Sequence, residues 1–264
     1  MPTITLLTDF GLTDTYVGQM KGVIHTLAPD ATVIDLTHDV PPQQIIAGAV
    51  MLDAAVDAFD ADTIHLAVVD PGVGTPRRPI ALRTSHGTYV GPDNGLFTAI
   101  LDRHGATHAV ALTNRHYHRD LITATFHGRD IFAPAAAHLA RGVAWPDLGE
   151  PIDPASLVRL HLPQPQPHGH GLTLHVVWID HFGNLITDLK RDALDTDARI
   201  TLRNTTIPTI ARTFGDVPPG EPVAYFGSTG RLEIAVRNGS AAARFTATPG
   251  TTIDLQPADP TSTP

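Results

Sequence analysis

Apolar residues recur along this chain with two spacings, and the change from one to the other divides it. Ile4-Thr-Leu-Leu-Thr8 and Ile64-His-Leu-Ala-Val-Val69 are short runs rich in Val, Ile and Leu, the pattern of buried strands, and Thr32-Val-Ile-Asp-Leu36 reads as a further strand. Between them, Tyr16, Met20, Val23 and Leu27 fall at i, i+4, i+7 and i+11, and Ile45, Ala49, Leu52 and Val56 make a second stripe. These stripes predict helices over Thr15–Leu27 and from Gln43 to about Phe59. Strands that alternate with helices in this way run parallel and are joined by right-handed crossovers.

Further on, Ile80–Arg83, Thr88–Val90 and His108–Leu112 read as strands and Leu96–His104 as a helix. An Ala-rich helix ends near Ala140, and Pro134 is tolerated only in its first turn. Its start is therefore expected near Asp130 as cap, with His127-Gly128 in the loop before it. Pro163-Gln-Pro-Gln-Pro-His-Gly-His-Gly171 reads as an extended linker. Beyond it the period falls to two: Thr173–Ile179, Arg199–Leu202, Pro222–Phe226, Leu232–Val236 and Thr251–Leu255 are short strands between Gly and Pro. The expected fold class is an α/β N-terminal domain with a mainly parallel sheet (1–162), a linker (163–171) and a smaller all-β, barrel-like C-terminal domain (172–264), frayed from Pro257 onward.

Composition narrows the function. A net charge of −9 without a Lys/Arg-rich run argues against nucleic-acid and anionic-membrane partners. The absence of cysteine excludes disulfides, thiolate catalysis and Cys-ligated zinc. No apolar run approaches the ~18 residues of a membrane span, and Met1–Gly11 lacks the features of a signal peptide. A cytoplasmic protein is the expectation.

Candidate chemistry gathers at strand ends. Asp9 and Asp70 both terminate apolar runs and are followed by glycine-containing turns; in an open α/β sheet that edge is where ligands bind. A carboxylate such as Asp9 accepts both hydroxyl protons of a ribose diol, and Asp70 suits the orientation of a base or a water. Asp also closes strands for purely structural reasons, so the shared edge and the Arg77-Arg78 pair carry the functional reading. Of fifteen histidines, His127 is the foremost candidate, since a helix N-terminus disfavours imidazolium. His104, His116, His118, His161, His168 and His170 read as solvated loop residues, and no metal-ligand spacing occurs. Asp180-His-Phe-Gly-Asn184 offers a carboxylate, an aromatic face and an amide, or simply a hairpin turn. Phe226-Gly-Ser-Thr-Gly230 is another turn, without a nucleophile elbow around Ser228.

Thr8-Asp-Phe-Gly11, Val69-Asp-Pro-Gly-Val-Gly-Thr75, Pro92-Asp-Asn-Gly95, Thr125-Phe-His-Gly-Arg-Asp130, Asp180-His-Phe-Gly-Asn184 and Leu232-Glu-Ile-Ala-Val236 occur in this order. Together they resemble the S-adenosyl-L-methionine hydroxide adenosyltransferases (SAM hydrolases), relatives of fluorinase and chlorinase. The resemblance implies a homotrimer that binds substrate between one subunit's N-terminal domain and its neighbour's C-terminal domain. It implies attack of water or hydroxide on ribose C5′ of S-adenosyl-L-methionine, releasing adenosine and L-methionine, with no cofactor and no metal. The catalytic set it implies is Asp70, Arg77 (the first of the arginine pair) and His127. Asp9 would hold the ribose, Asp180 the methionine ammonium, and Ser228 would lie near the amino-acid end. Phe10, Phe126 and Phe182 would line the nucleoside pocket; Asn184, Glu233 and the backbone of Val236 would serve the adenine. Thr229 stands where the halogenases carry an arginine for the substrate carboxylate.

An arrangement in which Asp70 and Arg77 position the water while His127 accepts or relays the proton fits these residue types. Two other readings compete. In a halogenase, chloride replaces water, but a nearby carboxylate repels a halide. A non-catalytic sensor of adenosine or S-adenosyl-L-methionine would have no use for Asp70, Arg77 and His127 as a set.

Overall fold

The Val/Ile/Leu runs do form strands, and their neighbours in sequence decide how the strands pair. The computed structural model describes residues 1–194 and 198–257. Residues 258–264, expected to fray, lie outside them, whereas Pro257 ends the last strand. The chain divides into two units, Met1–Leu162 and Pro163–Pro264.

In the first unit, β1 (Thr3–Thr8), β2 (Thr32–Thr37), β3 (Ile64–Val68), β4 (Pro79–Thr84), β5 (Gly87–Pro92), β6 (His108–Ala111) and β7 (Glu150–Pro151) form one sheet in the order β2-β1-β3-β5-β4-β6-β7. The expectation of a mainly parallel sheet is corrected here. Three pairings are parallel (β1–β2, β1–β3, β3–β5) and three antiparallel (β4–β5, β4–β6, β6–β7). Only Ser85 and His86 separate β4 from β5, and so short a connection can only make a hairpin.

Alternation along β1 and β3 sends side chains to two separate cores. Leu6, Leu66 and Val68 pack with Met20 and Ile24 of α1 (Tyr16–Leu27). Leu7, Ala67 and Val69 pack on the other face with Leu52 and Val56 of α2 (Ile45–Val56) and with Ile100 of α3 (Thr98–His104). The Ala-rich α4 (Ala133–Ala140) joins the first core. His65, the polar interruption in β3, is fully buried; its Nδ1 meets Thr5 Oγ1 at 2.8 Å and its ring stacks on Tyr89. Burial pulls its pKa down to about 4, so it is a neutral core residue.

The second unit contains β8 (Gln166–His168), β9 (Gly171–Ile179), β10 (Leu185–Lys190), β11 (Ala198–Leu202), β12 (Thr205–Ile207), β13 (Ile210–Ala211), β14 (Pro222–Phe226), β15 (Arg231–Val236) and β16 (Thr252–Pro257). The main path runs β12-β11-β16-β9-β10-β15-β14-β13, and β12 comes back against β14, giving a nearly closed, barrel-like sheet. Leu174, Val176, Leu185, Leu232 and Ile234 fill its interior. The segment expected to be a linker is partly structured: β8 pairs with β9 through Gln166↔Thr173 and His168↔Gly171. Pro167 is tolerated because an edge strand does not need every N–H. Among the described residues no helix is long and apolar enough to cross a membrane.

Candidate active site

β3 ends by delivering Asp70 into a tight loop. Asn94 Nδ2 donates to the Val69 carbonyl at 2.9 Å and ties down the strand end. Val73 N–H then donates to Asp70 O, and Thr75 N–H to Gly72 O. Gly74 has φ +77°, and a Cβ there would lie 2.4 Å from the Ala124 carbonyl. Glycine thus lets the Asp70 loop close against the segment that leads to His127.

Arg77 returns from this loop onto Asp70. Its Nε lies 3.0 Å from each carboxylate oxygen and its Nη2 also donates to Oδ2. The two side chains are only 9% and 4% exposed, so each charge depends on the other. Arg77 Nη2 reaches His127 Nδ1 at 3.0 Å, and the guanidinium lies over the Phe132 ring. Its Nη1 is buried without a protein partner. Arg78 points elsewhere, to Asp93 and Ser156.

A guanidinium has no lone pair to offer, so His127 Nδ1 must accept and the ring is neutral with its proton on Nε2. Burial, then the charge of Arg77, pushes its pKa below the ordinary histidine range. The geometry therefore occupies the nitrogen that a proton-accepting role would use.

The expectation that Asp130 caps the helix is corrected. Helical structure begins earlier, as a π-turn over Gly128–Phe132 with His127 at its N-terminus, and continues into α4. Pro134 has no N–H for the Asp130 carbonyl four residues back; Arg119 N–H supplies that bond at 3.0 Å. The Asp130 carboxylate is fully buried and accepts from Thr123 N–H, Thr123 Oγ1 and Arg129 Nε. Burial disfavours its charge, but these donors prevail and hold its pKa at about 2. Asp130 is thus the anchor of the His127 segment. Sequence reasoning missed this, although two arginines and a threonine within eleven residues were a signal.

Asp9 directly follows β1 and accepts from Gln43 N–H at 2.8 Å. Gln43 takes φ +67°, a conformation rare outside glycine and costly to hold. One Asp9 oxygen thus fixes this loop, while Oδ1 has no hydrogen-bond partner among the described residues. Phe10 and Phe126 meet edge to face at 5.9 Å, and Tyr16 completes the cluster. Two histidines read as solvated loop residues differ from that expectation: His104 ends α3 and stacks on His86, and His118 lies in a loop but its ring nitrogens are buried.

The second unit holds a cavity of about 720 Å³ lined by Asp180, Phe182, Asn184, Ser228, Glu233 and Val236, with further residues of β14 and β15. Asp180 makes its own turn: Oδ1 accepts from Phe182 and Asn184 N–H, and Oδ2 from Asn184 Nδ2. Phe182 is 73% exposed. Glu233 lies opposite Tyr225 in the β14–β15 register and accepts its hydroxyl; burial raises the Glu233 pKa despite that bond, and Asp180 adds to the rise. Gly227 makes this possible, since a Cβ there would fall 1.8 Å from Glu233 Oε1. Tyr225 was missed too; the hairpin register was the signal. The structure brings Asp70, Arg77 and His127 together in one unit, and the Asp180, Ser228 and Glu233 group in the other.

The SAM hydroxide adenosyltransferase N-terminal domain model matches residues 4–149, and its C-terminal counterpart matches residues 174–254. The chain belongs to this family. It is 46% identical over 94% of its length to an (R)-S-adenosyl-L-methionine hydrolase of Salinispora tropica, of which 95% is covered. It is 43% identical over 91% of its length to one of Thermus thermophilus, of which 94% is covered. A fluorinase of Nocardia brasiliensis is 28% identical over 97% of each chain. Among solved structures, an uncharacterised conserved protein of Thermotoga maritima superposes with TM-score 0.89 at 34% identity, covering 96% of this chain and 99% of the other. The adenosyltransferase motifs thus run through both units.

Proposed function

We propose that this chain hydrolyses S-adenosyl-L-methionine to adenosine and L-methionine, and that the (R) sulfonium epimer, for which its relatives are named, is the substrate. The observation that carries this reading is the buried Asp70–Arg77 pair joined to half-buried His127, with Arg77 Nη1 left as a donor without a partner. A water oxygen accepts from that N–H and donates to Asp70, which aims its lone pair at C5′. The O–C5′ bond forms as the C5′–S bond breaks, and the electron pair leaves on sulfur to give neutral methionine thioether. The proton of the new oxonium passes to Asp70 and then to solvent. His127, held as its Nε2–H tautomer, orients Arg77 and needs no change of protonation state.

The sulfonium is already a good leaving group, so no general acid is required. Positioning of the water contributes up to ~7–11 kcal/mol and proton removal a further ~10²–10⁴-fold. A cluster held together by a guanidinium is a poor cation site, which supports metal-free chemistry, and the reading includes no cofactor. Among the described residues no group of His, Asp or Glu is gathered to hold a metal. The anionic Asp70 also argues against a halide nucleophile.

The reading includes a homotrimer, in which the first unit of one copy and the second unit of its neighbour supply the two halves of the site. Its support is that each unit carries only half of the required groups and that Phe182 and Phe214 stand exposed beside the cavity. The cytoplasm is its expected setting. Incubation of each sulfur epimer in heavy-oxygen water, followed by mass analysis, is the test: one heavy oxygen appears in adenosine and none in methionine. Chlorinated nucleoside formed in excess chloride, or tight binding without turnover, would replace this reading by the halogenase or the sensor. Sedimentation gives a mass of three chains.

A further inference from the structure

The amino-acid end of the substrate is a zwitterion, and a site that buries it needs a cation for its carboxylate as well as an anion for its ammonium. Two basic side chains line the second unit's cavity, Arg212 and Arg237. Arg237 is occupied: its Nη1 donates to the carbonyls of Gly215 and Val217 at 3.1 and 2.6 Å. Arg212 is different. Its backbone N–H donates to Asp216 Oδ2 at 3.0 Å, but its guanidinium has no partner among the described residues.

The loop that carries it is nevertheless fixed. Thr213 and Asp216 form a reciprocal capping box, and Arg237, the residue after β15, holds the carbonyls on either side of Asp216. A free guanidinium on a pinned loop is poised to receive a ligand at little ordering cost beyond its own side chain. The same cavity is lined by Asp180, Ser228 and Thr229, and the Thr229 hydroxyl is buried without a partner.

We propose that Arg212 is the specificity-determining residue for the substrate carboxylate, and that it takes the carboxylate through its two-nitrogen fork while Thr229 Oγ1 donates to the same group. Resting on the hydrolase reading, this assigns one end of that substrate. It explains how a cavity with a neutral Thr229 accepts an α-amino acid rather than a simple amine.

The test compares S-adenosyl-L-methionine with its decarboxylated analogue, each as a mixture of sulfur epimers, on the wild-type protein, Arg212→Ala and Arg212→Lys. Arg212→Ala lowers kcat/KM for the carboxylate-bearing substrate about tenfold to a hundredfold, chiefly through KM. It leaves the analogue unchanged, so the wild-type preference disappears. Arg212→Lys restores part of it, since an ammonium supplies charge without the fork. Equal losses on both substrates, or no loss on either, overturn the assignment. If the wild-type protein releases no adenosine, the hydrolase reading falls instead, and calorimetry of the same two ligands still decides on Arg212: only the carboxylate-bearing ligand is weakened by Arg212→Ala.

Discussion

The two units treat charge in opposite ways. In the first, Arg77 is already bonded to both Asp70 and His127, the ion pair is almost shut off from solvent and His127 is half-buried. In the second, the cavity keeps an unengaged guanidinium, a carboxyl with a raised pKa and an exposed phenylalanine ring. A group that must act on a reacting atom gains from being fixed before the substrate arrives, because reorganisation is then not part of the barrier. A group that must recognise a ligand gains from having capacity left over. The contrast suggests that the first unit governs rate and the second governs affinity.

The severest way to break this contrast is to unlock the first unit. Asp70→Asn should reduce adenosine release about 10²–10⁴-fold and, by leaving Arg77 as a buried unpaired cation, also lower the melting temperature. The double change Asp70→Ala/Arg77→Met should recover much of the stability and none of the activity. Recovery of both in thermal melts and turnover assays would mean that the ion pair is scaffolding.

A smaller effect sharpens the role of His127. Neutral His127 accepts from Arg77, and burial with the arginine's charge keeps its pKa below the ordinary value. Activity should therefore be full above about pH 6.5 and fall only as the pH drops through the depressed value. The same sign holds for stability, since the unfolded chain binds the proton more readily, so acidification below about pH 6.5 destabilises the fold. A profile of kcat/KM against pH, with NMR titration of the ring, tests this; an acid limb at or above that value contradicts it. Smallest of all, Glu233→Gln should weaken adenosine binding by about tenfold or less while leaving kcat within twofold, as read by calorimetry and initial rates. A fall in kcat instead of affinity would dissolve the division between the units.

Much of this was legible in sequence because it rests on local pattern. The runs ending at Thr8 and Val69 announce buried strands, and the helical stripes come within two or three residues of α1 and α2. Asp70 and Arg77 are seven residues apart on one loop, so their meeting is a local event. What was hidden depends on packing between distant segments. The antiparallel half of the first sheet follows from a short hairpin easily passed over, and the β8 strand from pairing that its prolines obscure. Asp130 looked like a cap because its position before Pro134 fits one; its burial under Arg119, Arg129 and Thr123 is tertiary. Arg212 carries no periodic or motif signal at all.

The π-turn over Gly128–Phe132 has a mechanical consequence. A π-turn holds one residue more than an α-helical turn would, and one residue corresponds to about 100° of helix rotation. Were that surplus residue wound out, the imidazole at its head would swing about a quarter-circle off the guanidinium it now faces. The missing N–H of Pro134, and the borrowed one of Arg119, therefore set the phase of the screw on which the histidine is mounted.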